Sequence, residues 1–331
     1  MATEIVLRSI RQAVPSQWGQ KVEEARAMAA AGGPFGLGRF LDESGLDLED
    51  VYAGGKSWSD LVAAAGLPTL ARGPHENALR KALGRMLHVD DKVRIEGYGA
   101  LLAQSEPPRL EVLAERQARL ARMLVASVCD RAVTKKSSLQ EGCALLWAHP
   151  QVRSELRELL GVLGERIGHL HAPLDGHPLV PLQVHARYSR LEILAAFGVG
   201  QGAKVAPWQT GVYWAGEARA DLLAFTLDKT SGQFSPTTRY RDYAVTRELV
   251  HWESQSVTRA DSETGQRYQG HARQGSSVML FARLQQAERA FWFLGPATYV
   301  RHESERPMAI TWRLAHPLPG DLFASFAAAV A

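Results

Sequence analysis

The run LLAFTL at Leu222–Leu227 decides the fold, because alternate residues of an extended chain point to opposite sides and both sides of this run are apolar apart from Thr226. The same period of two recurs at residues 278–283 and 309–314, and shorter strand-like runs lie near residues 211–214, 249–256 and 291–300. These runs predict a curved, mostly antiparallel sheet or a partly open β-barrel, with one or two helices on its flank.

The chain before this sheet has helical patterning, with apolar stripes broken at glycine and proline. Helices are predicted over residues 4–14, 18–31, 37–44, 46–52, 57–65 and 76–87, with two longer ones after Pro108 and Pro150. A capping box that starts at Ser189 opens one more helix, which ends at Gly198. The predicted class is therefore α+β, with an all-helical domain at residues 1–170, a proline-rich linker at 171–184 and a β-rich domain at 185–331.

Charge and aromatic residues are distributed unevenly along the 331 residues, although the net charge is only +3. Residues 1–180 carry 22 basic and 22 acidic side chains, whereas residues 181–331 carry 16 and 13. Arginine supplies 14 of those 16 basic residues, and 19 of the 26 aromatic residues lie in the same half. This composition favours forked and stacking contacts over bulk charge attraction, and it excludes a strongly basic domain.

Two cysteines, Cys129 and Cys143, lie in helical patterning, and we expect them to be reduced, buried thiols of a cytoplasmic protein. No apolar run is long enough to cross a membrane, so no membrane contact is predicted. His169, His171 and His177 have no cysteine or carboxylate cluster beside them. We therefore predict neither a metal nor a cofactor.

The stretch Ser235–His271, SPTTRYRDYAVTRELVHWESQSVTRADSETGQRYQGH, alternates aromatic rings with arginines and polar side chains, which is typical of nucleic-acid readers. The predicted base pocket combines stacking rings with groups for the base edge, namely Trp214, Tyr240, Asp242, Tyr243, Trp252 and Gln255. The predicted contacts to the DNA backbone are Arg239, Arg241 and Arg267. On composition alone, the alternative is that the rings form core and the arginines are solvated.

Catalytic motifs are mostly absent from the sequence. It contains no phosphate-binding glycine loop ending in Gly-Lys-Ser/Thr, no His-Glu-x-x-His and no Gly-x-Ser-x-Gly. Asp228 and Lys229 are adjacent, so in a strand they would point to opposite faces and could not share a nuclease metal site. We therefore expect that the chain is not an enzyme.

Several stretches together resemble one family of bacterial proteins. These are LHVDD at 87–91, HARYSRLEILAAFG at 185–198, GVYW at 211–214, FSPTTRYRDYAV at 234–245, HWESQS at 251–256, TGQRY at 264–268, FLGPATYV at 293–300 and RPMAITWRL at 306–314. The chain resembles the C-terminal region of type IV, modification-dependent restriction enzymes, which join a phospholipase-D-like nuclease and a superfamily II helicase to a reader domain. Residues 184–318 match the reader, and the helical half matches the spacer before it.

This resemblance implies a reader similar in fold to SRA and PUA-like domains, which hold a flipped modified base, typically 5-methylcytosine, in an aromatic pocket. The expected partner is double-stranded DNA with a modified base, together with nuclease or helicase modules elsewhere in the protein or in a partner chain. Neither module is present here, so their activities are not expected of this chain. Two alternatives remain: a protein-interaction module with only nonspecific DNA contact, and an RNA-binding module.

Overall fold

In the computed structural model, which describes residues 18–227 and 242–330, the first part of the chain is a layer of helices. Its helices are α1 (Trp18–Ala30), α2 (Leu37–Ser44), α3 (Leu48–Val51), α4 (Trp58–Ala64), α5 (Glu76–Leu83), α6 (Lys92–Leu102), α7 (Glu115–Cys129), α8 (Leu139–Trp147) and α9 (Pro150–Glu165). The predicted helix at residues 4–14 lies outside the described residues. The other predicted helices are confirmed to within a few residues.

Local sequence accounts for several of these helix starts. Asp91 caps α6 by accepting a hydrogen bond from the backbone N–H of Arg94, and Ser138 and Glu141 form a capping box at α8. Pro150 occupies the first turn of α9, where a missing N–H costs nothing. The start of α9 lies where the sequence predicts it, whereas α6 and α8 are not among the predicted helices.

After α9, the described residues contain ten strands and three further helices. The strands are β1 (Ala172–Pro173), β2 (Gln183–Val184), β3 (Arg187–Ser189), β4 (Val212–Ala215), β5 (Ala220–Thr226), β6 (Tyr243–Ala244), β7 (Leu249–Glu253), β8 (Ser277–Arg283), β9 (Ala290–Glu303) and β10 (Ala309–Leu314). The helices are α10 (Arg190–Ala196), α11 (Glu263–Gly270) and α12 (Gly320–Val330). The predicted α+β class is confirmed.

Eight strands form one sheet in the order β4-β5-β8-β9-β10-β7-β6, with β3 paired to the first part of β9. Every pairing is antiparallel except that of β5 with β8. The mostly antiparallel sheet is thus confirmed. It is not closed into a barrel, because the edge strands β4 and β6 lie at opposite ends of this order and do not pair with each other.

The sheet is a middle layer over most of its area. Leu222 and Met279 point into a core shared with the helices α1 to α10, whereas their neighbours Leu223 and Leu280 point into a second core. The second core is completed by α11 and α12, through Tyr268 and Phe326. All seven residues of β5 are buried, which explains why the run at 222–227 is apolar on both sides.

Residues 171–184, the predicted linker, are packed against the rest of the protein. Here β1 pairs with β2, and Leu174, Val180, Leu182 and Val184 belong to the core that joins the helices to the sheet. Packing therefore continues across the predicted domain boundary. The division of the chain into two domains stays a prediction.

A buried charge network also crosses this boundary and joins α6 to α10. The guanidinium group of Arg94 is fully buried and donates to Asp91 at 2.5 Å, to Asp90 at 3.2 Å and to Glu192 at 2.8 Å. It also lies 4.1 Å from the centre of the Tyr188 ring. Two of the stretches that carry the resemblance, residues 87–91 and 185–198, thus contact each other. This contact has a structural role.

Candidate nucleic-acid interface

On one part of the sheet, no helix of residues 18–227 and 242–330 packs on the side that α1 to α10 cover elsewhere. The core on the helical side contains residues of β4, β5, β8 and β9 but none of β7 or β10. On that side, strand register places Tyr243, His251, Thr311 and Arg301 in one row across β6, β7, β10 and β9. We call this uncovered surface the open face.

A cleft of about 370 Å³ lies on the open face. It is lined by Tyr243, Val245, Leu249, His251, Val300, Arg301, Glu303, Ala309 and Thr311. Three of its apolar or aromatic side chains are well exposed, since Tyr243, Val245 and Val300 each keep more than a third of their surface accessible. A few polar groups among apolar walls are typical of sites that bind a small, partly apolar group.

Tyr243 is the planar element of this cleft. Its ring stacks on the His251 ring with a centroid distance of 4.8 Å and an interplanar angle of 23°. The Tyr243 side chain still has 37% of its surface exposed. A ring supported in this way can accept a second planar group, such as a nucleic-acid base, without being reorganised.

Asp242 holds the strand that carries Tyr243. Its carboxylate is buried and accepts a hydrogen bond from the backbone N–H of Glu253 at 2.9 Å. This contact ties the start of β6 to the end of β7, directly beside the Tyr243–His251 stack. The structure therefore gives Asp242 a positioning role, whereas the sequence suggested that it reads the edge of a base.

Charged side chains at the rim of the open face are paired with each other. Arg301 lies 3.6 Å from Glu303, and Arg313 lies 3.5 Å from Glu248, with all four side chains more than half exposed. Exposed pairs of this kind are worth little, about 0–1 kcal/mol, so a phosphate could replace the carboxylate at small cost. The described part of the rim is mixed in charge and not strongly basic.

Trp214 and Arg267 lie far from this cleft. Trp214 is on the opposite edge strand, β4, and its cross-strand partner Asp221 accepts two hydrogen bonds from Arg267, at 2.7 and 2.9 Å. The Arg267 guanidinium also lies 4.4 Å from the centre of the Trp214 ring, and its hydrogen bonds to Asp221 raise the pKa of Arg267. This group faces the second core, on the opposite side of the sheet from Tyr243.

Two further predicted pocket residues follow Tyr243 in sequence. Trp252 is only 3% exposed and packs edge-on against Tyr268, with ring centroids 5.7 Å apart. Trp252 therefore lies in the core. This is the alternative to a pocket role that composition alone left open. Gln255 is half-buried in the turn after β7, where its backbone carbonyl accepts a hydrogen bond from Thr258.

The structure thus does not assemble the predicted pocket as one site. Tyr243 alone of its described rings lies in the cleft, because Trp214 is at the other edge and Trp252 is in the core. Arg239, Tyr240 and Arg241 lie outside the described residues.

Comparison with known protein families gives one match. Residues 182–326 match a family described as "Domain of unknown function (DUF3427)". No curated protein matches the chain. The matched region runs from β2 into α12 and so includes both the open face and the Trp214 group, whereas α1 to α9 lie outside it.

Sequence reasoning missed His251 as the stacking partner of Tyr243, and it missed Thr311 and Arg301 as members of the same surface. The period of two in β7 and β10 assigns each residue to one of two faces. It does not identify the covered face, nor does it place β7 beside β10, some 60 residues later in the chain. Only strand register brings these side chains together.

Three other features bear on the chemistry of the protein. Within residues 18–227 and 242–330, no group of three or more histidine, cysteine, aspartate and glutamate side chains could hold a metal ion. In the same residues, every helix is too short or too polar to cross a membrane. Cys129 and Cys143 are free and buried, as predicted, and burial raises the pKa of each thiol to about 12.

Proposed function

We propose that this chain is a DNA-binding module that reads a modified base in double-stranded DNA, and that the open face of its sheet contacts that base. The single observation behind this proposal is the half-exposed Tyr243 ring, stacked on His251 inside a cleft of about 370 Å³. The chain is then the target-recognition part of a type IV restriction system, and 5-methylcytosine is the preferred base. The resemblance of the quoted stretches to such readers supports this assignment.

Base flipping is energetically feasible at such a site. Extruding a base costs a few kcal/mol of stacking and pairing, and stacking on an aromatic ring returns about 1–3 kcal/mol. Thr311 and Arg301, which also line the cleft, can add hydrogen bonds to a base edge or to the adjacent phosphate. The stack and these hydrogen bonds together are sufficient to offset the cost of extrusion.

Selectivity for a methyl group should be modest. Burying one methyl contributes about 0.8 kcal/mol, which is less than a tenfold difference in affinity. Val245 and Val300 are exposed apolar walls against which such a methyl can pack. We therefore expect flanking sequence and backbone contacts to supply much of the binding free energy.

The finer fold assignment belongs to the same proposal. We infer an SRA- or PUA-like arrangement in which the curved sheet is left partly open. Two observations support it: the mostly antiparallel eight-stranded sheet, and the helices α11 and α12 packed on one of its faces.

Two single variants with closely matched exposure test the proposed site. Tyr243 and Trp214 are 37% and 38% exposed but lie on opposite edges and opposite faces of the sheet. Tyr243→Ala should abolish the preference for methylated duplex in a binding titration and lower affinity by about 1–3 kcal/mol, because the stack is lost. Trp214→Ala should leave both quantities unchanged.

A fluorescent base analogue at the target position reports the flipping step in the same experiment. The fluorescence of the analogue should increase when the parent protein or the Trp214 variant binds. It should stay quenched with Tyr243→Ala. The opposite pattern, in which Trp214→Ala alone loses discrimination, would move the base site to the β4 edge. If both variants keep the full preference for methylated duplex, an aromatic base pocket at either position is refuted.

A protein-interaction role is the second candidate, and the paired rim charges favour it. Exposed Val245 and Val300, with ion pairs nearby, also suit a protein surface, and β6 is the last of the described strands in the sheet order. The two functions differ in discrimination, because salt weakens specific and nonspecific duplex binding alike. A DNA reader binds methylated duplex more tightly than unmodified duplex at both about 50 and about 200 mM salt, whereas a protein-interaction module binds both duplexes weakly and equally.

A further inference from the structure

A second cavity, of about 210 Å³, lies where the helical layer meets the other end of β9. Its walls come from the segment after α5, from α7, from the start of α10 and from the ends of β8 and β9. We call it the arginine cavity, because four arginines line it: Arg85, Arg190, Arg283 and Arg289. Phe291, near the start of β9, lines it as well, whereas the cleft on the open face lies near the end of that strand.

No carboxylate lines the arginine cavity, among the described residues from which its walls are built. Arg190 donates to the backbone oxygen of Trp208 at 2.9 Å, and Arg283 donates to Thr226 Oγ1 at 2.9 Å and to the backbone oxygen of Glu288 at 2.6 Å. These acceptors are neutral. Two of the four positive charges are thus held in place without a charged partner in direct contact.

The other two arginines, Arg85 and Arg289, have no hydrogen bond or ion pair from their guanidinium groups to any residue within 18–227 and 242–330. Three carboxylates lie near the cavity without lining it, namely Asp130, Glu192 and Glu288. Asp130 is paired with Lys204 at 2.8 Å, and Glu192 is paired with Arg94 at 2.8 Å and with His88 at 2.6 Å. Burial lowers the pKa of Arg85, and the charges of Arg131 and Arg289 lower it further. The cavity therefore concentrates positive charge that the described protein does not neutralise.

Two buried polar groups at the cavity lack partners. Ser127 is 9% exposed, and its Oγ has no hydrogen-bond partner among the described residues. The same holds for Nε of Arg190. Leaving a buried donor unpaired costs about as much as a lost hydrogen bond, so groups of this kind usually serve a ligand or ordered solvent. Both residues line the cavity.

We propose that the arginine cavity binds a phosphate group. Its volume is below the roughly 300–1,000 Å³ of sites for whole small molecules, so it suits a phosphate with little more than its attached sugar. Guanidinium forks match the oxygen geometry of phosphate, and a hydroxyl donor such as Ser127 completes the set. The phosphate belongs either to a free phosphorylated small molecule or to a phosphorylated DNA end.

The test uses the full-length protein and inorganic phosphate as the probe. Phosphate should raise the thermal midpoint and give a saturable heat of binding at constant ionic strength, whereas chloride should not. The double variant Arg85→Gln, Arg289→Gln should weaken this binding at least about tenfold, because two charge-assisted contacts are lost. Its midpoint without phosphate should be unchanged, since neither guanidinium makes a structural contact. Arg157→Gln, an exposed arginine on α9, is the matched control and should behave as the parent protein.

Ser127→Ala gives an independent result. Removing an unpartnered hydroxyl should leave the midpoint unchanged or raise it, while phosphate binding weakens. A nucleoside 5′-monophosphate and a short oligonucleotide, with and without a 5′-phosphate, then identify the source of the phosphate by which one binds more tightly than inorganic phosphate. Equal phosphate responses of the parent, the double variant and Ser127→Ala would overturn the proposal, as would an equal response of the parent to chloride.

Discussion

At the scale of single residues, His185 shows how burial changes a side chain's chemistry. It lies at the start of the matched family region, its backbone has a φ of 73°, and its side chain is only 5% exposed. Its Nε2 atom has no hydrogen-bond partner among the described residues. Burial, followed by the charges of His316 and His171, lowers the pKa of His185 to about 4.

This lowered pKa predicts acid sensitivity. The unfolded chain takes up a proton near pH 6.5, whereas the folded protein resists it down to about pH 4, so stability is lost as pH falls through that window. The loss should be roughly 2–3 kcal/mol in the free energy of unfolding. His185→Asn tolerates the positive φ and removes the titrating ring, and so should reduce the loss. Urea denaturation of both proteins at pH 7 and pH 4.5 measures the difference, and identical pH dependence would contradict it.

At the scale of elements, the charge network around Arg94 joins α6 to α10. Burial by itself raises the pKa of Glu192, but the neighbouring His88 and Arg94 hold it well below its usual range. His88 lies 2.6 Å from one oxygen of Glu192, and Arg94 lies 2.8 Å from the other. Arg94 thus compensates Asp91 at the start of its own helix and Glu192 on α10. Removing this cation would leave both carboxylates buried without it.

Replacing Arg94 therefore tests how much the charge network between α6 and α10 contributes to stability. Arg94→Met should lower the free energy of unfolding by about 3–5 kcal/mol, because Asp91 and Glu192 would remain buried without their cation. Arg259→Met removes a 2.7 Å pair with Asp261 in which both side chains are about half exposed or more, and should cost under about 1 kcal/mol. Chemical denaturation of the two variants makes the comparison. Similar small losses would show that the network contributes little to stability.

At the scale of the whole molecule, the sheet depends on the helical layer in front of it. Phe281 and Phe293, stacked 4.7 Å apart, belong to the core shared with the helices, although both lie in the matched family region. Without residues 18–165 this face of the sheet would be exposed, and Glu192 would lack its charged partners. We therefore expect that the matched region does not fold by itself, because half of a shared core would lose the side chains that cover it.

A fragment of residues 182–331 should accordingly aggregate or lose fixed tertiary packing. Near-ultraviolet circular dichroism and size-exclusion chromatography would detect this, with the full chain as the control. The uneven placement of aromatic residues would otherwise suggest that such a fragment suffices for DNA binding. If it is monomeric and shows native-like tertiary signals, the helices are not needed to complete the sheet.

The sequence by itself determined the α+β class, most helix limits and the strands with clear alternation. Helix limits depend on local features, such as the cap at Ser189 and the proline at residue 150, which act within one turn. Strand alternation is equally local, and the strands that it predicts at Leu222–Leu227 and at residues 309–314 are confirmed. These features need no knowledge of what packs against them.

Only the tertiary structure decided which alternating residues are covered. Tyr243 and Trp252 lie nine residues apart in one aromatic stretch, yet one is 37% exposed and the other is core. The difference arises because the helical layer ends before β7 and β10, while α11 and α12 cover their other face. The parallel pairing of β5 with β8, more than 50 residues apart, likewise follows from burial on both faces and not from any local signal. The arginine cavity has the same origin, because its four arginines come from three distant parts of the chain that only packing brings together.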